Sequence, residues 1–306
     1  MCKRLVAVCF TLVACAFPGP GTAQFTDPRT YLNTPVGLNQ LETVYANAHS
    51  DASIDTSIIV TGARLNLNQG TIDYTRYFGF LHRLAWVEPA LPIAGVNGSI
   101  AGTNVSTSAI GTGDSGYQVA LLLKGAPALS VEQFENFKQT TALGVSLSVT
   151  APTGQYNPDR LVNLGSDRWS FKPEIGLSQP FGPGQKWEFD GYANAYFYTD
   201  NTSYHGAEVL RQQPLPGLEG HISYSFTNNV WASIDTRYSF RGNTFVNGVN
   251  QNSSQQNFIL GSELSVSLNA QNTLIFEFGE ALVHQNGPAI RAFAVKYDYS
   301  WGRGFK

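Results

Sequence analysis

The stretch Lys296–Lys306, KYDYSWGRGFK, decides how the rest of the chain is read. Counted back from its end, Phe305, Trp301, Tyr299, Tyr297, Val295 and Phe293 fall on a two-residue period, with Arg303 the one polar member of the row. Ala294, Lys296, Asp298, Ser300, Gly302 and Gly304 fill the alternate positions. A period of two belongs to a β-strand, whose successive side chains point to opposite faces. One face here is aromatic and branched; the other is small, polar or charged. A strand in a bilayer turns its greasy face to lipid. It then needs a closed sheet, because an open edge would leave backbone groups unpaired in hydrocarbon. The stretch predicts a closing strand.

The same period runs through the chain beyond Gln24. Leu143, Val145, Leu147 and Val149 alternate with Gly144, Ser146 and Ser148. Trp187, Phe189, Ala193, Ala195 and Phe197 alternate with Glu188, Asp190, Tyr192, Asn194, Tyr196 and Tyr198. About twelve such segments are predicted, an even number as single-chain bacterial barrels require. Alternation alone would also suit a soluble sandwich. The connections decide between them. From PTGQYNPDRLVNLGSD onward, long links alternate with short ones such as PFGPGQ, TNN and NAQN. Transmembrane barrels have this asymmetry, with tight periplasmic turns and long outer loops. The expected fold is all-β, a membrane-spanning antiparallel up-and-down β-barrel. The earlier half is less regular. YFGFLHRLAW places His82 on the face of Phe78, Phe80 and Trp86, GVNGSIAGTNVSTSAIGTG reads as an outer loop, and LSVEQFENFK as a short periplasmic helix.

Composition agrees with an exported membrane protein. Lys3 and Arg4 precede the apolar run LVAVCFTLVACAF, which is too short to cross a bilayer as a helix and reads as a signal-peptide core. Pro18 and Pro20 break it, and Gly21–Ala23 offer small residues for cleavage. Leu12–Cys15 also resembles a bacterial lipobox. All three cysteines lie in this segment, so the mature chain is expected to carry no disulfide. The expected organisation is a signal peptide at 1–23, a periplasmic N-terminal segment at 24–37 and the barrel at 38–306. A formal net charge of -3 argues against nucleic acid as a partner.

Motifs with a chemical meaning are few. GTGDSG, Gly111–Gly116, lacks the strand before and the helix after that a dinucleotide fingerprint needs. As the GDSG of chymotrypsin-like proteases it would make Ser115 a nucleophile, but His49 and His82 are poor partners. It reads as a turn entering a strand. His205 and Glu208 stand three apart in a polar loop without a third ligand, and His221 alternates with Glu219 and Ser223 on a polar face. No metal and no cofactor are expected. The polar faces carry Lys172, Glu174, Glu188, Asp190, Asp235, Arg237, Glu263, Glu277, Lys296 and Asp298, and the acidic excess predicts a lumen that mildly prefers cations.

The stretch TAPTGQYNPDRLVNLGSDRWSFKPEIGLS resembles an exported bacterial family, the meta-pathway of phenol degradation transporters. The residues that carry the likeness are Pro152, Gly154, Tyr156, Asn163, Gly165, Arg168, Trp169, Ser170, Phe171 and Pro173. It extends through DGYANAYFYTDN, LPGLEGHISYSF and VWASIDTRYSF. The resemblance implies an outer-membrane barrel associated with uptake of small, often aromatic compounds. The chain end also resembles the C-terminal signal of outer-membrane proteins, which implies the barrel assembly machinery and outer-membrane lipid as partners. The expected function is passive passage of small solutes across the bacterial outer membrane, without catalysis. An embedded hydrolase and a structural or adhesive barrel are the alternatives. The candidate pore residues are Tyr156, Arg160, Asn163 and Arg168 on the loop, with Glu174, Glu188, Asp190, Tyr192, Asp235, Arg237 and Glu277 on the wall. The loop either folds inward, setting Arg160 and Arg168 opposite Glu174 and Asp190, or caps the rim.

Overall fold

A computed structural model describes residues 26–50, 63–100, 106–160, 163–287 and 289–302. The signal segment 1–23 with Cys15 and the terminal Arg303–Lys306 lie outside the described residues. The first strands are β1 (Leu38–Ser50), β2 (Ala63–Phe80), β3 (Arg83–Ile100), β4 (Ser106–Thr112) and β5 (Ser115–Lys124). After the short helix α1 (Val131–Phe134) come β6 (Ala142–Ala151), β7 (Ser170–Phe181) and β8 (Trp187–Tyr198). Next are β9 (Asn201–Tyr204), β10 (Glu208–Gln212), β11 (Leu215–Ser225) and β12 (Val230–Arg241). The last are β13 (Thr244–Val246), β14 (Val249–Asn250), β15 (Gln255–Ser267), β16 (Asn272–Gln285) and β17 (Ile290–Gly302).

Twelve antiparallel strands close into a barrel, β4 and β5 forming one strand bent at Gly113–Asp114. Closure is made by β1 against β17, in register from Leu38 opposite Gly302 to Ser50 opposite Ile290. That pairing is the answer to the greasy terminal strand. Phe293, Tyr297 and Tyr299 are exposed on the outside while Ala294, Lys296 and Asp298 are buried inside. Exposed large apolar side chains such as Ile72, Leu91, Ile175, Phe189 and Ile234 make the same band on other strands. Aromatic pairs mark both of its rims. Trp169 stacks on Phe171 at the outer end of β7, and Phe181 on Trp187 where β7 turns into β8. The strand between, from Phe171 to Phe181, rises roughly 25 Å at about 3.3 Å per residue and a tilt near 40°, the height of a barrel's apolar band.

β2 and β3 have 18 residues each, far more than such a band needs. Their polarity inverts along their length. Near the inner end Gln69, Thr71, Asp73 and Thr75 are buried in the lumen while Ile72, Leu91 and Ile93 face lipid. Beyond Gln69 the buried positions become Leu65, Leu67, Ala94 and Val96, and Asn66, Asn68, Asn97 and Ser99 point outward. The hairpin therefore leaves the bilayer and continues as a wall with water outside.

The stretch read as a Gly/Ser-rich outer loop instead contributes Gly95–Ile100 to β3 and Ser106–Thr112 to β4. Gly, Ser, Thr and Asn fill most positions on both of its faces, so too few apolar residues remain for alternation to reveal the strands. Among the described residues β4 pairs with β3 alone. YFGFLHRLAW resolves in a similar way. Leu81 and His82 are the two turn residues, both with positive φ (49° and 61°), so Trp86 faces inward while Phe80 faces out. The expected helix is present as α1, with Ser130 and Gln133 forming a reciprocal capping box. β9, β10, β13 and β14 make a separate small sheet from two outer loops, around Tyr204, Leu210 and Val246. There Arg211 donates to Asp200 at 2.8 Å, and that hydrogen bond holds the Asp200 carboxyl below its ordinary range.

Candidate functional site in the barrel lumen

Residues 26–37 differ from the expectation of a periplasmic segment. Val36 and Gly37 sit at the end of the short turns, their amides donating to Leu129 O (2.8 Å) and Tyr77 O (3.0 Å). The chain before them rises into the lumen. Thr26 N–H donates to Glu219 Oε2 at 2.6 Å, and its hydroxyl donates to Glu174 Oε2 at 2.7 Å while accepting from Lys172 Nζ at 2.9 Å. Lys296 Nζ reaches Asp27 Oδ2 at 2.7 Å and also contacts Glu277. The Arg29 amide donates to Asp190, and its guanidinium donates to Ser223 Oγ (2.8 Å) and Ser225 Oγ (3.0 Å) over the ring of Trp231. Buried polar groups need such partners, and the segment supplies them. It is a plug.

Tyr31 is its anchor. The side chain is fully buried, its hydroxyl bonding Glu174 Oε1 (2.9 Å) and Ser146 Oγ (3.0 Å), with its ring edge-on to Tyr192 at 5.3 Å. The ring fits a slot cut by two glycines paired across β6 and β7, Gly144 and Gly176. A Cβ on Gly176 would lie 2.1 Å from the ring, and one on Gly144 2.3 Å from it. Only hydrogen at those positions leaves room for the aromatic.

The wall residues read from sequence do gather around the plug. Glu174, Glu188, Asp190, Asp235 and Arg237 are buried, Tyr192 donates to Asp27 O at 3.1 Å, and Glu277 holds Lys296. Asp235 accepts from Ser233 at 2.9 Å and pairs with His221 Nδ1 at 2.8 Å. The four loop residues do not join them. Arg168 donates to Gln212 Oε1 at 2.7 Å and lies over Tyr198, Tyr156 donates to Ser203 O at 3.3 Å, and Asn163 bonds within the loop to Asn157. Arg160 is exposed. Of the two placements the sequence leaves open for the loop from Pro152 to Asp167, it takes the second, capping the rim and tied to the neighbouring loop, and Arg168 pairs with Gln212 away from Glu174 and Asp190. Asp114 of the GTGDSG turn is its latch, accepting from Gly154 N–H (2.8 Å) and from Ser166 N–H (2.8 Å) and Oγ.

Among the described residues Asp27, Glu263 and Glu277 place carboxylate oxygens within 4.8 Å of one another. The Lys296 ammonium sits on two of the three, in the position a cation would take, so an ion pair accounts for the cluster.

The plug divides the remaining space in two. One cavity is polar, lined by Thr30, Glu42, Thr71, Gln118, Ser148 and Lys172. The other lies between the plug and the β1–β2 and β15–β17 wall. Its sides are Ala46, Ala48, Leu67, Ile259, Ile290, Ala292 and Ala294. The apolar surface continues outward through Leu65, Ala94 and Val96 to Leu164, which the capping loop drops onto it. The sequence reading missed this sector, although Val44, Ala46 and Ala48 on β1 carried its signal: an apolar row opposite Asn47 and His49.

The fold is shared with solved outer-membrane barrels. The structure of the COG4313 outer membrane channel from Pseudomonas putida F1 superposes with a TM-score of 0.78 at 22% identity, covering 90% of this chain and 100% of that one. The beta domain of the Bordetella autotransporter BrkA gives 0.50 at 11% identity, covering 85% and 98%. No protein with a curated description matches the sequence. The family model described as "Putative MetA-pathway of phenol degradation" matches residues 47–297, and the protein belongs to that family.

Proposed function

We propose that the protein is a passive channel of the bacterial outer membrane for small apolar solutes, aromatic compounds among them. The observation that carries this reading is the apolar sector of the lumen. A pore for hydrated solutes is polar inside. Here Leu65, Leu67, Ala94 and Val96 face inward where their strands stand clear of lipid, so bilayer contact does not explain them. Concave apolar surface with a few polar groups at one end is the usual form of a small-molecule site. Family membership and the likeness to a solved channel support the same reading. No reacting pair is needed, since the free energy of the solute gradient drives passage.

The test is entry of a neutral aromatic dye, N-phenylnaphthylamine, into cells whose own outer membrane excludes it. Expression of the wild type should speed the rise in fluorescence, and Ala292→Trp, which fills the apolar cavity, should return it to the control rate. Equal rates for wild type, variant and empty vector would refute the proposal.

A further inference from the structure

The apolar cavity is not apolar all round. Its inner end is a floor of carboxylates: Asp27 from the plug, Asp235 from β12, Glu263 from β15 and Glu277 from β16. Two basic groups stand among them. His221 is paired to Asp235 through Nδ1 at 2.8 Å, and Lys296 is shared between Asp27 and Glu277. Both are committed to carboxylates already. A molecule lying along Ala46, Ala48, Leu67 and Ala292 would bring its polar end down onto this floor. From this arrangement we infer that the cavity selects by head group: it takes apolar molecules ending in a hydrogen-bond donor, a hydroxyl or an ammonium, and refuses those ending in a carboxylate. The inference rests on the reading of the apolar cavity as the solute site.

The physical reason is the sign and number of the groups. A donor head finds acceptor oxygens on three strands and the plug, and charge-assisted hydrogen bonds to carboxylates are the stronger kind. A carboxylate head would become a fifth acid on a floor where four carboxyl groups already share two basic ones, in a site with apolar walls where like charges are poorly screened. It would also lose its water, while Lys296 and His221 Nδ1 already hold carboxylates of the floor. Discrimination of this kind works through repulsion of the wrong partner as much as attraction of the right one.

The experiment compares three molecules of one shape: para-ethylbenzyl alcohol, para-ethylbenzylamine and para-ethylbenzoate. Binding to the purified protein in lipid nanodiscs is measured calorimetrically at neutral pH, with empty nanodiscs as baseline. The alcohol and the amine should bind, and the benzoate at least about tenfold more weakly, a ratio set by roughly one lost charge-assisted hydrogen bond. Glu263→Gln keeps the shape and replaces one carboxyl of the floor with an amide that can donate to a carboxylate head, and should shrink that ratio to under about threefold by the same arithmetic. Glu277→Gln serves the same purpose if the first variant does not fold. A benzoate that binds wild type as tightly as the alcohol overturns the head-group inference and leaves the apolar site standing. If none of the three binds, or if Ala292→Trp leaves all three affinities intact, the site reading itself fails and the inference with it.

Discussion

Gly176→Ala is the smallest change that should open this barrel. The added methyl would lie 2.1 Å from the Tyr31 ring, whereas ordinary van der Waals contact begins near 3.4 Å, so the ring must withdraw by more than an ångström. Tyr31 cannot do so in place, because its hydroxyl bonds to Glu174 and Ser146 at 2.9 and 3.0 Å and its edge rests on Tyr192. The seat is lost. A buried aromatic removes about 150–250 Å² from water, and emptying such a site costs about 3–5 kcal/mol. At about 1.4 kcal/mol per decade, plug withdrawal should become roughly a hundred- to several-thousandfold more frequent. Two assays read it. Single-channel recording should show longer and larger openings, and trypsin added to folded protein should cleave after Arg29, which is part-buried in wild type by its bonds to Ser223 and Ser225. Tyr31→Ala should give the same phenotype. The double variant should be no worse than Tyr31→Ala alone, since the clash needs the ring. Gly95→Ala, whose Cβ would have 4.0 Å to its nearest neighbour, is the matched control. Wild-type conductance together with wild-type resistance to trypsin in Gly176→Ala would refute the slot as the anchor.

Other variants test separate parts of the structure. Lys296→Met leaves Asp27, Glu263 and Glu277 together without their ammonium; removing one partner of a buried pair should cost about 3–5 kcal/mol, read as a lowered urea midpoint for the heat-modifiable gel mobility of the folded barrel. Arg168→Ala should leave conductance and reversal potential unchanged, because Arg168 bonds Gln212 at the rim and no lumen carboxylate; a shift in either would return it to the pore. Asp114→Ala should free the loop from Pro152 to Asp167 and make it sensitive to proteinase K without unfolding the barrel, as three donors lose their acceptor. In a conducting Gly176→Ala barrel, where water re-enters the lumen and ionises its wall, reversal potentials under a salt gradient should show cation preference, since Glu42, Asp73, Glu174, Glu188, Asp190, Glu219, Asp235, Glu263 and Asp298 outnumber Lys172, Arg237 and Lys296; anion preference would contradict the lumen charge.

Where side chains differ strongly between faces, the fold was legible in the sequence. The terminal row of Phe293, Val295, Tyr297 and Tyr299 announced both strand and closure, because lipid and lumen ask for opposite chemistry at alternate positions. The lumen charges followed from the same alternation, and Glu174, Asp190 and Asp235 stand where it put them. The signal faded where one large residue stands among small ones, as in β4, where Ser106, Ser108, Ile110 and Thr112 alternate with Thr107, Ala109 and Gly111.

Alternation also carries an assumption, that the outer face is always the apolar one. That holds only at bilayer depth. Once β2 and β3 pass the lipid rim, the solvent outside becomes water, and Asn66, Asn68 and Asn97 take the outer positions. The inner positions are then free to be apolar, and Leu65, Leu67, Ala94 and Val96 are. Period two is preserved through this change, so only the sign of the pattern marks it. The plug was hidden for another reason. Thr26, Asp27, Arg29 and Tyr31 have no periodicity to read, and their meaning lies in partners 115 to 269 residues away, such as Ser146 and Lys296. Short polar segments acquire structure from whatever encloses them, so the barrel had to be built before the plug could be seen. The apolar cavity exists only between the two, with one wall from the inverted part of the strands and a floor completed by Asp27. The candidate site is therefore a property of the assembled chain, and its chemistry follows from two segments whose sequences gave no hint that they meet.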